Sequence, residues 1–302
     1  MRFNFHFPEA KGTEHDLLGA GDVAEVAALA ERSGFDGFSL SDHPAPNREW
    51  LQTDGHQTFD PFVGLAFAAA ATERIRLLTY LVVAPYRHPL VLAKAATTLD
   101  RLSGGRLILG LGAGYLETEY AALGIDYNER NERLDEALDV LLLQSAGEPF
   151  SYRGRRFAAN DVLALPPPAQ KPIPMWIGGN SALTRRRIAA KAHGWMPIIG
   201  GPAFSRLART STLESLEDAH RQIAEIRVAT TQAGRDVSID VMVPFLTDPT
   251  VLTEANRHRE ALARLEAAGV TWVTVSTPAV SPRVTAEFLE EFGTLYLAGR
   301  RN

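Results

Sequence analysis

Four stretches of this chain close a helical run, pass through glycine and enter a strand-like run: ERSGFDGFSL, TLDRLSGGRLILGL, AKAHGWMPII and ARLEAAGVTWVTV. Glycine suits such joints because it takes the left-handed conformation that ends a helix. Their recurrence, with near-continuous apolar strands, predicts repeated βα units and a parallel sheet covered by helices. Eight strands can be placed, at 2–7, 38–41, 75–83, 106–112, 175–177, 195–199, 237–243 and 271–275. Helices are expected at 23–33, from 61, at 89–102, through 144, up to 192, and at 212–233, 253–268 and 282–297. The proline-rich stretch 151–174 reads as irregular. Eight strands point to a closed α/β barrel, the (β/α)8 TIM barrel, taking 1–302 as a single domain with inserted loops at its C-terminal face. The rival is a Rossmann fold, because Gly110-Leu111-Gly112-Ala113-Gly114 looks like a dinucleotide loop. That pattern fails at its third glycine, and no acidic residue ends a strand about 20 residues on.

Composition narrows the function classes. A net charge of -5 argues against a nucleic-acid binder. The absence of cysteine excludes disulfides, iron–sulfur clusters and thiolate-bound zinc, and the histidines show no metal-ligand spacing, so no metal is expected. Strand 2–7 alternates, with Phe3, Phe5 and Phe7 on one face and Asn4 and His6 on the other. It lacks the continuous apolar stretch of a signal peptide, and no apolar run approaches the roughly 20 residues of a membrane span. A cytoplasmic protein with a small-molecule substrate, and without nucleic-acid or membrane partners, is expected.

Barrel enzymes carry their chemistry at the C-terminal ends of the strands. Those ends hold His6, then Asp42-His43, the stretch 79–85, Gly112-Ala113-Gly114-Tyr115 and Gly178-Gly179-Asn180-Ser181. Glycines let backbone approach a flat ligand, and the helix start after Asn180 suits a phosphate. His43 has a carboxylate beside it and titrates near neutrality, as proton transfer next to a hydride centre requires; the alternative is a packed histidine beside a capping Asp42. His6 is either catalytic or a satisfied barrel-interior group. Glu117 and Glu119 fall in the first turn of a helix, where capping competes with catalysis. The run Arg185-Arg186-Arg187 reads as a solvated face, and His88 as structural. Trp50 is either a lid or pocket residue or an anchor for its loop. Ser41 lies near a histidine but outside any G-x-S-x-G motif, which argues against a hydrolase.

Residues 99–120 (LDRLSGGRLILGLGAGYLETEY), 130–141 (RNERLDEALDVL) and 168–181 (PAQKPIPMWIGGNS) resemble signature stretches of luciferase-like oxidoreductases. SLSDHPAP resembles the segment with which the coenzyme F420-dependent branch meets its deazaflavin. The resemblance spans nearly the whole chain. It implies that Asp42 contacts the deazaflavin, that His43 gives or takes a proton near the reactive ring, and that a non-proline cis peptide at Thr79-Tyr80 supports that ring. Gly112, Ala113, Gly114 and Tyr115 would line the ring, and Gly178, Gly179, Asn180 and Ser181 would hold the phosphate end. Two departures stand out: Tyr115 replaces a glutamate of the sugar-phosphate dehydrogenases, and Asn47 replaces their tryptophan by simple counting. A substrate other than a sugar phosphate follows, shaped by loops 44–59 and 197–211. The resemblance therefore implies hydride transfer between the deazaflavin C5 and a small organic molecule. The alternatives are an FMN-dependent two-component monooxygenase and a non-catalytic flavin-binding barrel. It also implies a homodimer, paired through the helices flanking the fourth strand.

Overall fold

The computed structural model describes residues 1–13, 16–53, 55–200, 205–206, 209–246 and 251–300. Its strands are β1 (Arg2–His6), β2 (Gly37–Leu40), β3 (Arg76–Thr79), β4 (Val82–Val83), β5 (Leu107–Gly112), β6 (Phe150–Arg153), β7 (Ala158–Val162), β8 (Met175–Gly178), β9 (Gly194–Met196), β10 (Asp240–Leu246) and β11 (Trp272–Val275). Apart from the β6–β7 pair they form one parallel sheet in the order β3-β2-β1-β11-β10-β9-β8-β5-β4. A further pairing of β3 with β5 closes it into a barrel. Because β4 resumes the third strand, the barrel has eight staves, at the eight positions expected from the sequence.

The helices are α1 (Val23–Ser33), α2 (Arg48–Thr53), α3 (Pro61–Ala71), α4 (Pro89–Leu102), α5 (Glu117–Ala122), α6 (Arg130–Ser145), α7 (Ala182–Lys191), α8 (Leu216–Gln232), α9 (Ala255–Ala267) and α10 (Pro282–Phe292). Their starts follow local chemistry. Asp22 accepts from the amides of Ala24 and Glu25, and Asp60 from those of Phe62 and Val63 with Pro61 at the first helical position. Ser181, Ser215 and Ser281 cap α7, α8 and α10 in the same way. The Ser215 cap is why α8 begins at 216 instead of 212. Gly34 ends α1 at φ +96°, as the first helix–glycine–strand joint requires.

The alternation of β1 sorts its side chains between two cores. Phe3 and Phe5 pack outward against Phe35, Phe288 and Phe292 of the helical layer. Asn4 points into the barrel, fully buried, and donates to Ser39 Oγ and Thr274 Oγ1, each at 2.7 Å. A buried amide is tolerable there because its donors are met.

Three local expectations change. The stretch 151–174 is not wholly irregular: it carries the antiparallel hairpin of β6 and β7. Loop 44–59 contains α2. The third strand is interrupted, with its non-proline cis peptide at Tyr80-Leu81 and not at Thr79-Tyr80. The ladder explains the shift. Thr79 still pairs with Leu40, the Tyr80 amide still donates to the Leu40 carbonyl at 2.7 Å, and Thr79 Oγ1 donates to Gly110 O at 2.8 Å. The strand therefore stays in register through Tyr80 and departs only after it.

Candidate active site

The C-terminal ends of the staves enclose a cavity of about 560 Å³, within the range of ordinary ligand pockets. One wall carries His43, on the loop after β2. Its Nδ1 lies 3.0 Å from Glu119 Oε2, and Glu119 is fully buried. The same carboxylate accepts from Tyr86 O–H at 2.9 Å and from the Ala45 amide at 3.1 Å. A carboxylate can only accept, so this contact assigns the Nδ1–H tautomer to a neutral His43 and leaves Nε2 as its acceptor nitrogen. Tyr115 O–H stands 3.5 Å from that Nε2. Burial first, then the charges of Glu119 and Glu9, push the Tyr115 phenol up to about 12, so it stays protonated at neutral pH. The Trp50 ring leans on the imidazole at a centroid distance of 4.5 Å. Trp50 therefore packs on His43, three residues beyond the position that simple counting assigned to a tryptophan.

A second acidic centre adjoins it. Glu9 Oε1 is 2.9 Å from His6 Nε2, and Oε2 is 2.9 Å from His56 Nε2. Ser41 Oγ also donates to Glu9. Burial alone would raise the Glu9 carboxyl, but the two imidazoles hold it well below the usual carboxylate range. Glu9 is thus an anion on the cavity wall. Burial, with Glu9 beside it, drives the Tyr80 phenol upward.

The floor is built by the interrupted strand. A Cβ on Gly112 would lie 2.5 Å from Leu81 Cδ1, and one on Gly178 would lie 2.3 Å from Leu81 Cδ2. Those two glycines therefore make room for the Leu81 side chain, and Leu81 faces the cavity between them. Asp42, 3% exposed, anchors the far side of the interruption. Its Oδ2 accepts from the Val83 amide at 2.9 Å and from Arg87 Nη1 at 2.6 Å, and its Oδ1 from Arg87 Nη2 at 2.9 Å. Arg87 reaches on to Asp60 at 3.0 Å. Asp42 lines the cavity with both oxygens committed to this bidentate pair and the Val83 amide.

Three cationic side chains line the same cavity. They are Arg130, Arg187 and Arg209, which share that lining with Gly178, Gly179 and Ser181 of the turn that opens α7. Gly179 sits at φ +101°, and Ser181 caps the helix. The first amides of a helix lack partners within it and attract anions. Arg187, which the sequence placed on a solvated face, is 5% exposed and forms a bidentate pair with Asp135.

Of the residues singled out by sequence, Asp42, His43, Tyr80, Gly112, Ala113, Gly114, Tyr115, Gly178, Gly179 and Ser181 line the cavity. Thr79 and Asn180 do not. Thr79 is fully buried on Gly110 O. The Asn180 amide bonds Ile198 O, Ser211 O and the Ile198 amide, tying the loop after β9 to α7. Within loop 197–211, Ile198, Arg209 and Thr210 line the cavity, while 201–204 and 207–208 lie outside the described residues. Glu9 and His56 carried no signal in the sequence, Leu81 fell within the strand-end stretch 79–85 without being singled out, and Glu119 read equally well as a cap. Among the described residues, no cluster of three or more His, Asp or Glu side chains is arranged to hold a metal ion, and no helix is long and apolar enough to cross a membrane.

Comparison with known proteins agrees with this architecture. An uncharacterised protein of Mycobacterium tuberculosis is 29% identical over 274 residues, covering 90% of this chain and 85% of that one. The F420-dependent glucose-6-phosphate dehydrogenase of Beutenbergia cavernae is 31% identical over 249 residues, covering 80% of this chain and 69% of that one. The crystal structure of the monooxygenase RslO1 from Streptomyces bottropensis superposes with a TM-score of 0.77 at 22% identity, over 98% of this chain and 99% of that one. The profile of the luciferase-like monooxygenases matches residues 1–270. With the barrel, the interrupted third strand and the histidine at the mouth in place, this chain belongs to the luciferase-like monooxygenase family of oxidoreductases.

Proposed function

We propose that this enzyme is an F420-dependent oxidoreductase acting on an uncharged hydroxyl or carbonyl compound. The observation that carries the reading is that one cavity is lined both by His43, held by Glu119, and by three arginines. Such a cavity suits a ligand with an anionic tail and a reactive ring. The residues fit a deazaflavin: Leu81, Ala113 and Gly114 offer a surface for the ring, and the α7 start with its neighbouring arginines offers an anion site. When bound, the deazaflavin supplies the hydride acceptor or donor at its C5.

The chain's own residues handle the proton. His43 Nε2 is placed to take a hydroxyl proton as an alcohol is oxidised, or to return it in reduction. Glu119 fixes the tautomer by accepting from Nδ1 and stabilises the imidazolium that forms. Tyr115, 3.5 Å from Nε2, remains a phenol and so adds no second base beside His43.

The charge balance supports an uncharged substrate. At the His43 end, Glu9 is anionic, and the neighbouring cation Arg87 is committed to Asp42 and Asp60. Among the described residues at this end, Glu9 is already held by His6 and His56 and Arg87 by two carboxylates, so a phosphate brought there would have to break an existing pair to find a counter-charge. This agrees with Tyr115 standing where sugar-phosphate dehydrogenases carry a glutamate.

The second reading, an FMN-dependent monooxygenase, is supported by the likeness to RslO1. The test is turnover. Protein, oxidised F420 and a panel of uncharged alcohols are followed by loss of the oxidised cofactor's absorbance, with glucose 6-phosphate in parallel. At least one alcohol is expected to turn over about tenfold or more faster than the sugar phosphate. Oxygen consumption with reduced FMN, and no reaction of F420 with any alcohol, would overturn the proposal.

A further inference from the structure

We propose that the barrel carries a second ligand site, at the N-terminal ends of its strands, built for a small monocarboxylate with an apolar body.

A cavity of about 490 Å³ opens there, at the end of the barrel away from His43. Arg2, Arg76, Asp240 and Trp272, the first residues of β1, β3, β10 and β11, line it. Trp272 and Trp176 belong to a buried plug with Leu78, Met196 and Met242. Leu81, which faces the other cavity, packs against that plug, and the two cavities share no lining residue.

Two buried donors on residues of this lining, Arg76 Nε and Trp272 Nε1, have no hydrogen-bond partner among the described residues. Trp272 is 2% exposed. Native proteins rarely leave a buried N–H without an acceptor. A face that served only to hold the barrel closed would gain nothing from two of them.

The charges point the same way. Arg2 rests over the Trp272 ring at 5.3 Å, and Arg76 Nη2 donates to Leu107 O at 3.2 Å and Gln170 Oε1 at 3.0 Å. Neither arginine has a carboxylate partner among the described residues, because the acids nearby are committed elsewhere. Glu31 accepts from the amides of Glu73, Arg74 and Ile75, Asp36 from the Phe3 amide, and Asp240 from Thr271 Oγ1. Burial pushes the Arg76 guanidinium downward despite Asp100 and Asp240, and the charge of Arg2 adds to the push.

A carboxylate bound beside these two guanidinium groups would meet both cations and offer acceptor oxygens to the orphaned donors. Phe35, Ile75, Ile108 and Trp176 supply an apolar lining for its body. Glu31, Asp36 and Asp240 share the lining with Arg2, Arg74 and Arg76, which favours a monoanion over a phosphate dianion.

The test is a calorimetric titration of the purified protein with cyclohexanecarboxylate, its neutral counterpart cyclohexylmethanol, and inorganic phosphate. The carboxylate is expected to saturate at roughly millimolar levels, with the alcohol and phosphate each about tenfold or more weaker. Arg2→Ala and Trp272→Phe should each weaken the carboxylate about fivefold or more. Arg2 is exposed, so its truncation leaves the fold intact and keeps the test decisive if Trp272→Phe folds poorly. Leu81→Trp, in the other cavity, should change the affinity less than about twofold. Absence of saturable binding, or equal binding of the alcohol, overturns the site. Tighter binding of phosphate overturns the class of ligand. Loss of binding in Leu81→Trp with Arg2→Ala unaffected would place the carboxylate beside His43 and overturn the proposal too.

Discussion

Gly110→Ala is expected to destabilise the protein by about 4 kcal/mol or more, enough to lower its yield of soluble protein sharply. Gly110 lies in β5 against the interruption of the third strand. A Cβ there would stand 2.0 Å from the Thr79 carbonyl oxygen and 3.0 Å from Met196 Cε. The oxygen belongs to backbone held by the Thr79 side chain and by the Tyr80–Leu40 bond, so it has nowhere to retreat. Relief requires moving β3 away from β5 at the closure of the barrel, which forfeits packing on both sides. Gly19→Ala is the control: its Cβ would meet nothing within 4 Å, and a change within about 0.5 kcal/mol is expected. Thermal or urea unfolding of both variants decides the matter. A Gly110→Ala protein as stable as the parent would mean that the close approach of β3 and β5 is drawn wrongly.

Glu119→Gln should cut turnover by roughly 10² to 10³ while leaving cofactor affinity within about threefold, the range removed when a positioned acid–base group fails. The carboxylate accepts from three donors, His43 Nδ1, Tyr86 O–H and the Ala45 amide. A glutamine supplies one acceptor oxygen and turns a donor toward at least one of them. If that donor faces His43, the imidazole must carry its proton on Nε2, and the base that faces the cavity is lost. A merely structural role would lower the melting temperature and kcat together. A positioning role predicts a kcat loss in folded protein, and a matching loss in His43→Ala that does not add to it. Retention of more than a tenth of parental turnover by folded Glu119→Gln would remove Glu119 from the relay.

The barrel was legible because its determinants are local. Each helix–glycine–strand joint carries its own signal, and eight apolar runs leave few ways to close a sheet. The cis peptide fell one residue later than expected because hydrogen bonds to Leu40 and Gly110, contributed by distant strands, decide where the third strand leaves its ladder. Residues at strand ends were readable by position, which is how His43, Asp42 and Tyr115 were found. What each side chain does there was not. Glu119 sits in a first helical turn, where a carboxylate has a sufficient local reason to exist, and its reach to His43 spans 76 positions of sequence. Arg187 looked like one of three surface arginines until Asp135 and Asn131 of α6 folded against it. Thr79 and Asn180 erred the other way: strand-end polar residues can be spent entirely on holding neighbouring backbone. The glycines at 112 and 178 were read as space for a ligand, whereas much of that space belongs to Leu81.

A side-by-side fluorescence titration of the purified protein with oxidised F420 and with FMN decides whether the cavity beside His43 accepts a deazaflavin. Saturable binding of F420 at roughly micromolar levels is expected, weakened by Leu81→Trp at the cavity floor, with FMN bound at least about tenfold more weakly. Tight binding of FMN with F420 ignored would contradict it and make this barrel a flavin monooxygenase.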